Sequence, residues 1–406
     1  MSTKPTDSFG TACCVVCEPQ FKDETHAHFN ASLLAAVLHC FPRGQVAFLG
    51  VPRHIERVKA SLAVDESRVI WLRAKSLASL KRQGRLPRLR SEWEVYGFAF
   101  AQARQLRAGA IVFCSMTNPG IWWLKLRHLG RPQLSVLAVL HQVQDLFGTS
   151  QRPETANYAR LVRGMLRLPQ SRRLRFVVLG PSILTALAER APRLARNCAA
   201  IDLPCLDNYT ASHEAGPSTC EPSSVCFGHF GAGREEKGFR LFLDLASRMG
   251  QEQAQARFSC VGYAKHLVGR DALWVDVPAT PLERSCYEER ARAVDYAVWV
   301  GDPDAYTLRA SASFLDAVTY GKPCICLRNP FIAHYFQQFG DIGYLCDGYE
   351  ELVEVVRGIT KSFPINRYRQ QCHNLQQARL VFTPSNVAEE LKRLGLVERF
   401  VDEKQI

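Results

Sequence analysis

The sequence predicts an α/β protein built from two doubly wound domains, and three features support this prediction. Short apolar runs alternate with amphipathic segments along nearly all of the 406 residues. The apolar runs are mostly continuous, which is typical of parallel strands buried on both faces. One stretch, residues 204–224, is rich in Pro, Ser, Gly and Thr and interrupts the alternation, as a linker would.

The individual elements follow from this alternation. Apolar runs predict strands over residues 12–17, 45–50, 68–72, 110–114, 134–140, 175–179, 225–230, 257–262, 272–277, 295–300 and 323–327. Amphipathic periodicity predicts helices over residues 26–40, 52–63, 91–107, 154–167, 181–190, 238–249, 283–293, 310–320, 349–361 and 367–380. A last helix begins at Thr383-Pro384-Ser385, where a hydroxyl cap precedes a proline in the first turn.

The predicted domains are an N-terminal domain over residues 1–205, a linker over 206–224 and a C-terminal domain over 225–382. The final helix, in 383–406, is expected to cross back to the first domain. Charge changes sign near the linker: residues 1–200 hold 29 Lys and Arg against 12 Asp and Glu, whereas the remainder holds 22 against 27. The basic half predicts an anionic partner such as lipid headgroups, an acidic glycan or nucleic acid.

Fifteen cysteines, most within apolar runs, predict buried free thiols and a reducing compartment. Cys14 and Cys17 with the nearby His26 and His28 raise the alternative of a zinc site, but no second C-x-x-C follows. We therefore expect no metal. Residues 1–10 are polar. The apolar runs are shorter than the roughly 20 residues that are needed to span a bilayer. These features predict a cytoplasmic protein.

The first candidate binding segment is VCFGHFGAGREEKGFRLFL, residues 225–243. A strand runs into a loop with Gly231 and Gly233, then Arg234 and Lys237, and then a helix. Glycines allow the backbone to approach a ligand, and a helix N-terminus favours anions. The combination suits a diphosphate, although such a loop is also found as a plain strand–helix turn carrying surface charges.

The second segment is residues 295–323, DYAVWVGDPDAYTLRASASFLDAVTYGKP. A buried strand ends in a polar loop, and a helix then starts among small residues. Backbone amides at such a start are free to meet a phosphate. Asp316, one turn further on, is placed to accept hydrogen bonds from a ribose diol. An ordinary capped helix with a solvated Asp316 is the alternative.

Together and in this order, GAGREEKGF and YTLRASASFLDAVTYGKPCI resemble the donor domain of GT-B glycosyltransferases, most closely retaining family 4. The resemblance covers roughly residues 225–380 well and the first half in outline. It implies two Rossmann-like domains facing across a cleft. It also implies a polysaccharide-type glycosyltransferase that binds a nucleotide sugar, UDP- or GDP-linked, and uses no cofactor.

The resemblance assigns the following roles. Arg234 and Lys237 would stabilise the leaving diphosphate as catalytic residues. The donor-binding residues would be Gly231, Gly233, Arg309, Ser311, Ala312, Ser313 and Asp316. The family commonly has two glutamates eight positions apart; here Asp316 takes the second place and Leu308 the first.

The first half provides three further candidates. The loop EPQFKDET after the first strand resembles the family's N-terminal loop, and it makes His26 and Asn30 candidates on the acceptor side. His141 ends the run SVLAVL, and the carboxyl end of a parallel strand is where α/β proteins bind ligands. In the family a histidine there lies near the reacting sugar, which makes His141 a third catalytic candidate; a structural histidine is the alternative.

The predicted reaction is transfer of a sugar to a glycan or lipid-linked acceptor, without a metal and with retention. Residues 73–90 carry seven cations and no acid, which suggests peripheral contact with an anionic membrane at its inner face. Alternatives are an inactive protein of this fold, suggested by Leu308, or a sugar-nucleotide epimerase or phosphorylase. A nucleic-acid-binding protein is a further alternative, but 73–90 lacks interleaved aromatics and no such module is evident, so we expect no nucleic acid as partner.

Overall fold

The chain forms two compact units, Met1–Asp207 with Phe382–Ile406, and Asn208–Val381. The computed structural model describes residues 12–22, 26–62, 65–75, 85–141, 143, 164, 170–205, 224–265 and 273–397. The predicted linker over 206–224 lies outside the described residues except for Ser224, and so does nearly all of the predicted helix over 154–167. The predicted domain boundaries stay predictions.

The first unit contains one parallel sheet. Its strands are β1 (Cys14–Cys17), β2 (Val46–Gly50), β3 (Val69–Arg73), β4 (Ala110–Phe113), β5 (Ser135–Leu140), β6 (Leu174–Leu179) and β7 (Cys198–Ile201), in the order β3-β2-β1-β4-β5-β6-β7. In the central strand β1, Val16 pairs with Phe48 on one side and Val112 on the other. All three side chains are fully buried, as the continuous apolar runs predict.

Helices connect these strands. They are α1 (Ala27–Cys40), α2 (Pro52–Ser61), α3 (Arg85–Gln105), α4 (Asn118–Leu129), α5 (Pro181–Arg190) and α6 (Pro192–Ala195). Burial raises the pKa of the Cys14, Cys17 and Cys114 thiols, so these side chains stay protonated and pack as small apolar groups.

The last described helix, α13 (Pro384–Arg393), belongs to the first unit. Thr383 caps it by accepting the amide hydrogen of Asn386 at 3.4 Å. The helix packs against α1, and the Cys40 thiol donates to the Ala388 carbonyl at 3.4 Å. Two residues further on, Glu390 accepts the amide hydrogen of Asp202 at 2.9 Å. The predicted return of the C-terminal helix to the first domain is confirmed.

The second unit has a six-stranded parallel sheet in the order β10-β9-β8-β11-β12-β13. The strands are β8 (Val225–His229), β9 (Ala256–Cys260), β10 (Val275–Asp276), β11 (Tyr296–Trp299), β12 (Cys324–Leu327) and β13 (Gly343–Cys346). The helices are α7 (Phe239–Gln251), α8 (Arg284–Ala293), α9 (Ala312–Thr319), α10 (Pro330–Phe339), α11 (Tyr349–Lys361) and α12 (Ile365–Ala378). The predicted fold class, two doubly wound α/β units, is confirmed.

Among the described residues, two strands and two helices of ten or more residues are absent from the predicted elements. The strands β7 and β13, CAAI and GYLC, are only four residues long, so they lack a distinct apolar run. The helices α4 and α10 carry bulky apolar residues on several faces, and α10 begins directly after the apolar strand β12. None of the described helices is long and apolar enough to cross a bilayer.

Candidate functional site

The glycine loop after β8 is folded tightly around the side chain of Lys237. Gly231 has a φ of +84°, and a Cβ on it would lie 2.9 Å from the Lys237 Nζ and 3.6 Å from the Ser313 Cβ. Only a glycine accepts this backbone conformation without strain. The loop is closed further on by the Gly233 amide, which donates to the Tyr263 carbonyl at 2.8 Å. The ammonium and the start of α9 therefore meet at the backbone of Gly231.

Lys237 is placed by the short helical turn that ends at Gly238. Gly238 has a φ of +69°, and a Cβ there would lie 1.7 Å from the Val300 carbonyl oxygen. The turn thus rests directly on the backbone that follows β11. Burial lowers the pKa of the Lys237 ammonium, and the charges of Arg309 and then Arg234 lower it further, while Asp316 opposes them. An anion at Nζ would relieve this repulsion.

The two arginines predicted to bind the donor differ in their surroundings. Arg234 has a side chain 59% exposed to solvent and pairs with Glu236 at 3.5 Å. Arg309 is half-buried, its guanidinium lies 5.5 Å from the centre of the Tyr306 ring, and its charge acts more strongly on Lys237 than that of Arg234 does. Arg309 is therefore the cation that accompanies Lys237 most closely.

A chain of hydroxyl groups begins α9. The buried Ser311 caps the helix: its Oγ accepts the Phe314 amide at 3.3 Å and the Trp299 indole N–H at 2.9 Å. With both lone pairs in use, the Ser311 hydroxyl donates to the Ser313 Oγ, 3.3 Å away. The Ser313 hydroxyl hydrogen is thereby left for another acceptor. Helical geometry also leaves the first-turn amides of Ala312 and Ser313 without partners inside the helix.

Asp316 is held one turn further along α9. The Tyr287 hydroxyl of α8 donates to its Oδ2 at 2.9 Å. Burial raises the pKa of the Asp316 carboxyl, while this hydrogen bond and the charges of Arg284 and Lys237 act in the opposite direction. The carboxylate consequently has cations on two sides and one oxygen, Oδ1, not engaged by Tyr287. At the position of the family's first glutamate, the Leu308 side chain is buried in the core.

His229 is a residue of this site that the sequence analysis did not single out. It ends β8 and is only 4% exposed. Burial and the nearby Lys237 charge lower its pKa to about 3, so the ring is neutral. With Lys237, Trp299 and Ser313 it lines a small cavity of about 10 Å³, which has room for roughly one water molecule.

In the first unit, the structure brings His26 and His141 together. Their ring centroids are 4.3 Å apart, and Phe29 contacts His141 at 4.8 Å. His141 Nε2 lies 2.8 Å from the Cys114 carbonyl oxygen, which only accepts hydrogen bonds, so Nε2 carries the proton. Burial lowers the His141 pKa to about 4. At neutral pH the ring is therefore uncharged, with an unprotonated Nδ1.

Asn30 is fully buried and holds a carboxylate that the sequence analysis missed. Its amide donates to Glu18 Oε2 at 2.9 Å and to His54 Nε2 at 2.8 Å. Glu18, directly after β1, also accepts the Ser115 hydroxyl at 2.5 Å and the Gln20 amide at 2.7 Å. This network fixes the loop that leads into His26, whose φ of +63° is unusual for a side chain of its size. A glutamate directly after a buried strand was the available signal.

Metal-binding groups are not among these features. Within the described ranges, no three His, Cys, Asp or Glu side chains are grouped to hold a metal ion. Cys14 and Cys17 are both buried within β1 as free thiols.

Several solved structures are similar to this chain over nearly its whole length. HepE of Anabaena, solved in complex with UDP and glucose, is 13% identical, with 94% of this chain and 98% of HepE covered at a TM-score of 0.62. A glycosyltransferase of Rickettsia africae is 8% identical over 96% and 100%, at 0.65. The OtsA apo structure is 10% identical over 95% and 99%, at 0.63. No family model and no curated protein matches the sequence.

These likenesses establish that the chain has a GT-B-like fold, as the sequence resemblance implied. At such low identity they do not distinguish family 4 from other families of that fold.

Proposed function

We propose that this protein is a glycosyltransferase that binds a nucleotide sugar in its second unit and transfers the sugar to a glycan or lipid-linked acceptor. One observation carries the proposal: the Lys237 ammonium, the start of α9 and Arg309 are grouped around the glycine loop, with Asp316 one helical turn away. The Lys237 ammonium, the start of α9 and Arg309 are suited to bind an anion, and Asp316 is suited to accept hydrogen bonds from a ribose diol. HepE was solved with UDP and with UDP-glucose, and a further similar structure, from E. coli, was solved with UDP-2-fluoro glucose, which favours a UDP-sugar over a GDP-sugar.

The proposed chemistry follows from charge. Breaking the anomeric C–O bond places negative charge on the departing diphosphate. Lys237, Arg309 and the Ser313 hydroxyl would then stabilise that charge more strongly than they stabilise the bound donor, which lowers the barrier. The group of fixed positive charges makes a metal unnecessary in this proposal. Retention of configuration is proposed from the resemblance to family 4.

His141 is proposed as the residue of the first unit nearest the reacting sugar. Its neutral ring would accept a hydrogen bond at Nδ1, because the Cys114 carbonyl holds the proton on Nε2. A sugar hydroxyl is the kind of donor that this nitrogen would select. His26, in ring contact with His141, is proposed to lie on the acceptor side.

The decisive experiment is a thermal-shift panel of UDP, GDP and ADP on the full chain, followed by donor hydrolysis with the nucleotide sugar that binds. The matching nucleotide should raise the melting temperature with concentration. Lys237→Ala should reduce turnover by about 10²–10³-fold, whereas Lys361→Ala, an exposed lysine of the same unit, should not change it. Absence of any nucleotide-dependent shift would refute the proposal.

A second candidate function is nucleotide-sugar binding without transfer. It is favoured by Leu308, which puts a buried aliphatic side chain where the family carries a glutamate. Donor binding in the thermal-shift panel without hydrolysis or transfer would support this alternative over the enzyme.

A further inference from the structure

Among the described residues, an apolar patch is exposed on two neighbouring helices of the first unit. On α4, Trp122, Leu126 and Leu129 are spaced four and three residues apart and so share one helix face. Leu126 is 45% exposed and Leu129 is 75% exposed. On the neighbouring α3, Trp93 is 38% exposed. We call these four residues the α3/α4 patch.

Trp93, the exposed tryptophan of this patch, is held in place by contacts with α4. The Arg127 guanidinium lies 3.5 Å from the centre of the Trp93 ring and donates to the Trp93 carbonyl at 2.7 Å. The ring edge meets Trp123 with centroids 5.1 Å apart. Gly97 leaves room for this arrangement, since a Cβ there would lie 2.2 Å from the guanidinium. A large apolar side chain is thus fixed at the surface, where burial in the core would otherwise be favoured.

The surroundings of the patch are positively charged. From residue 95 to residue 144 the sequence contains no Asp or Glu. The same fifty residues contain Arg104, Arg107, Arg127 and Arg131 as exposed or half-exposed cations, whereas Lys125 is buried. Of the acids just before this stretch, Glu92 is buried and Glu94 pairs with Arg90 at 3.1 Å. Tryptophan and leucine beside cations form the combination that binds the headgroup region of anionic bilayers.

We propose that the α3/α4 patch docks on an anionic lipid bilayer, with Trp93, Leu126 and Leu129 entering the interface and the surrounding cations meeting the headgroups. A second copy of this chain fits less well, because a symmetric contact would bring the cations of both copies together without acids to balance them. The proposal names the membrane as the partner of the proposed transferase, which places a lipid-linked acceptor within reach. None of the residues of the α3/α4 patch belongs to the donor site.

Flotation of the full chain with phospholipid vesicles tests the proposal. Vesicles of phosphatidylcholine with about 30 mol % phosphatidylglycerol are compared with phosphatidylcholine alone, at low and at high salt. The wild type should float with the anionic vesicles and release at high salt. The double variant Leu126→Glu/Leu129→Glu should bind them at least tenfold more weakly. Leu273→Glu, which changes a leucine of the second unit that is 73% exposed, should bind like the wild type.

Three outcomes would overturn the inference. They are no flotation of the wild type at low salt, equal flotation of the double variant and the wild type, and a dimer in sedimentation that the double variant abolishes. A nucleotide-induced thermal shift retained by the double variant shows that its fold is intact. If no nucleotide shifts the wild type, the proposed function fails while flotation still tests the patch, so the two failures are distinguishable.

Discussion

Replacing Gly231 by alanine tests whether the position of the Lys237 ammonium is what the glycine loop provides. The new Cβ would lie 2.9 Å from Nζ, and ordinary contact begins near 3.4 Å, so the ammonium must move by about 0.5 Å. Because a misplacement of about 1 Å costs roughly 10²-fold in rate, we expect donor turnover to fall about tenfold. The lysine end is flexible, so its displacement adds little to the cost in stability.

The same substitution also strains the backbone, and that effect needs its own control. An alanine at a φ of +84° costs about 1–2 kcal/mol of folding free energy. Gly340 has a φ of +75°, and no atom lies within 4 Å of a Cβ placed there. Gly340→Ala therefore introduces the backbone strain without displacing a neighbouring side chain. Both variants should lose about 1–2 kcal/mol in denaturant unfolding.

Only Gly231→Ala should lose activity, measured as release of the nucleotide from the donor with water as acceptor. Equal turnover in the two variants would refute the reasoning. A stability loss at Gly231 far beyond that at Gly340 would also refute it, because it would mean that the backbone and not the lysine had been displaced.

Three further predictions follow from the second unit. Ser313→Ala should weaken nucleotide binding about tenfold by removing one charge-assisted hydrogen bond, and it should lower the free energy of unfolding by about 1 kcal/mol because the buried Ser311 hydroxyl loses its acceptor. Ser311→Ala should lower the free energy of unfolding by about 1 kcal/mol or more by removing a helix cap, but it retains the Ser313 hydroxyl for the nucleotide; isothermal titration and denaturant melts separate the two. Because the pKa of His229 is lowered to about 3 from 6.5, the free energy of unfolding should decrease as the pH falls below about 6.5. His229→Leu should reduce the slope of the free energy of unfolding against pH between pH 6 and 4 by about 1.4 kcal/mol per pH unit. An unchanged slope would contradict this. Tyr287→Phe should raise the donor KM several-fold at nearly unchanged kcat by releasing Asp316, and it should erode the preference for the ribonucleotide over the 2′-deoxyribonucleotide; a fall in kcat alone would point elsewhere.

The fold was largely predictable from the sequence because parallel strands buried on both faces read as continuous apolar runs. That signal disappears where a strand is only four residues long, as in β7 and β13. It also cannot separate a strand from an apolar helix that follows directly, which is why α10 was missed.

The site was predictable in its local parts and not in its long-range contacts. Glycines, lysine and small residues around Lys237 and Ser313 are adjacent in sequence or share one motif. The sequence favours Arg234 as the second cation beside Lys237 because both lie on the same loop. The Arg234 side chain is nevertheless 59% exposed and pairs with Glu236. Tyr287 reaches Asp316 across 29 residues, and sequence periodicity contains no information on such a pairing.

The hydrogen bond from the Cys205 amide to the Phe382 carbonyl, 2.7 Å long, joins the two points at which the chain leaves the first unit and comes back to it. The second unit is therefore a continuous insertion whose ends are neighbours, and the first unit is assembled from the segments before and after that insertion. During synthesis on the ribosome, the first unit is started first and completed last. Its helix α1 can pack against α13 only after α13 has been made, and α13 is encoded more than 340 codons later. A nonsense mutation in the codons for α13 would accordingly remove a helix that packs on α1 of the first unit, while the inserted unit would still be encoded in full.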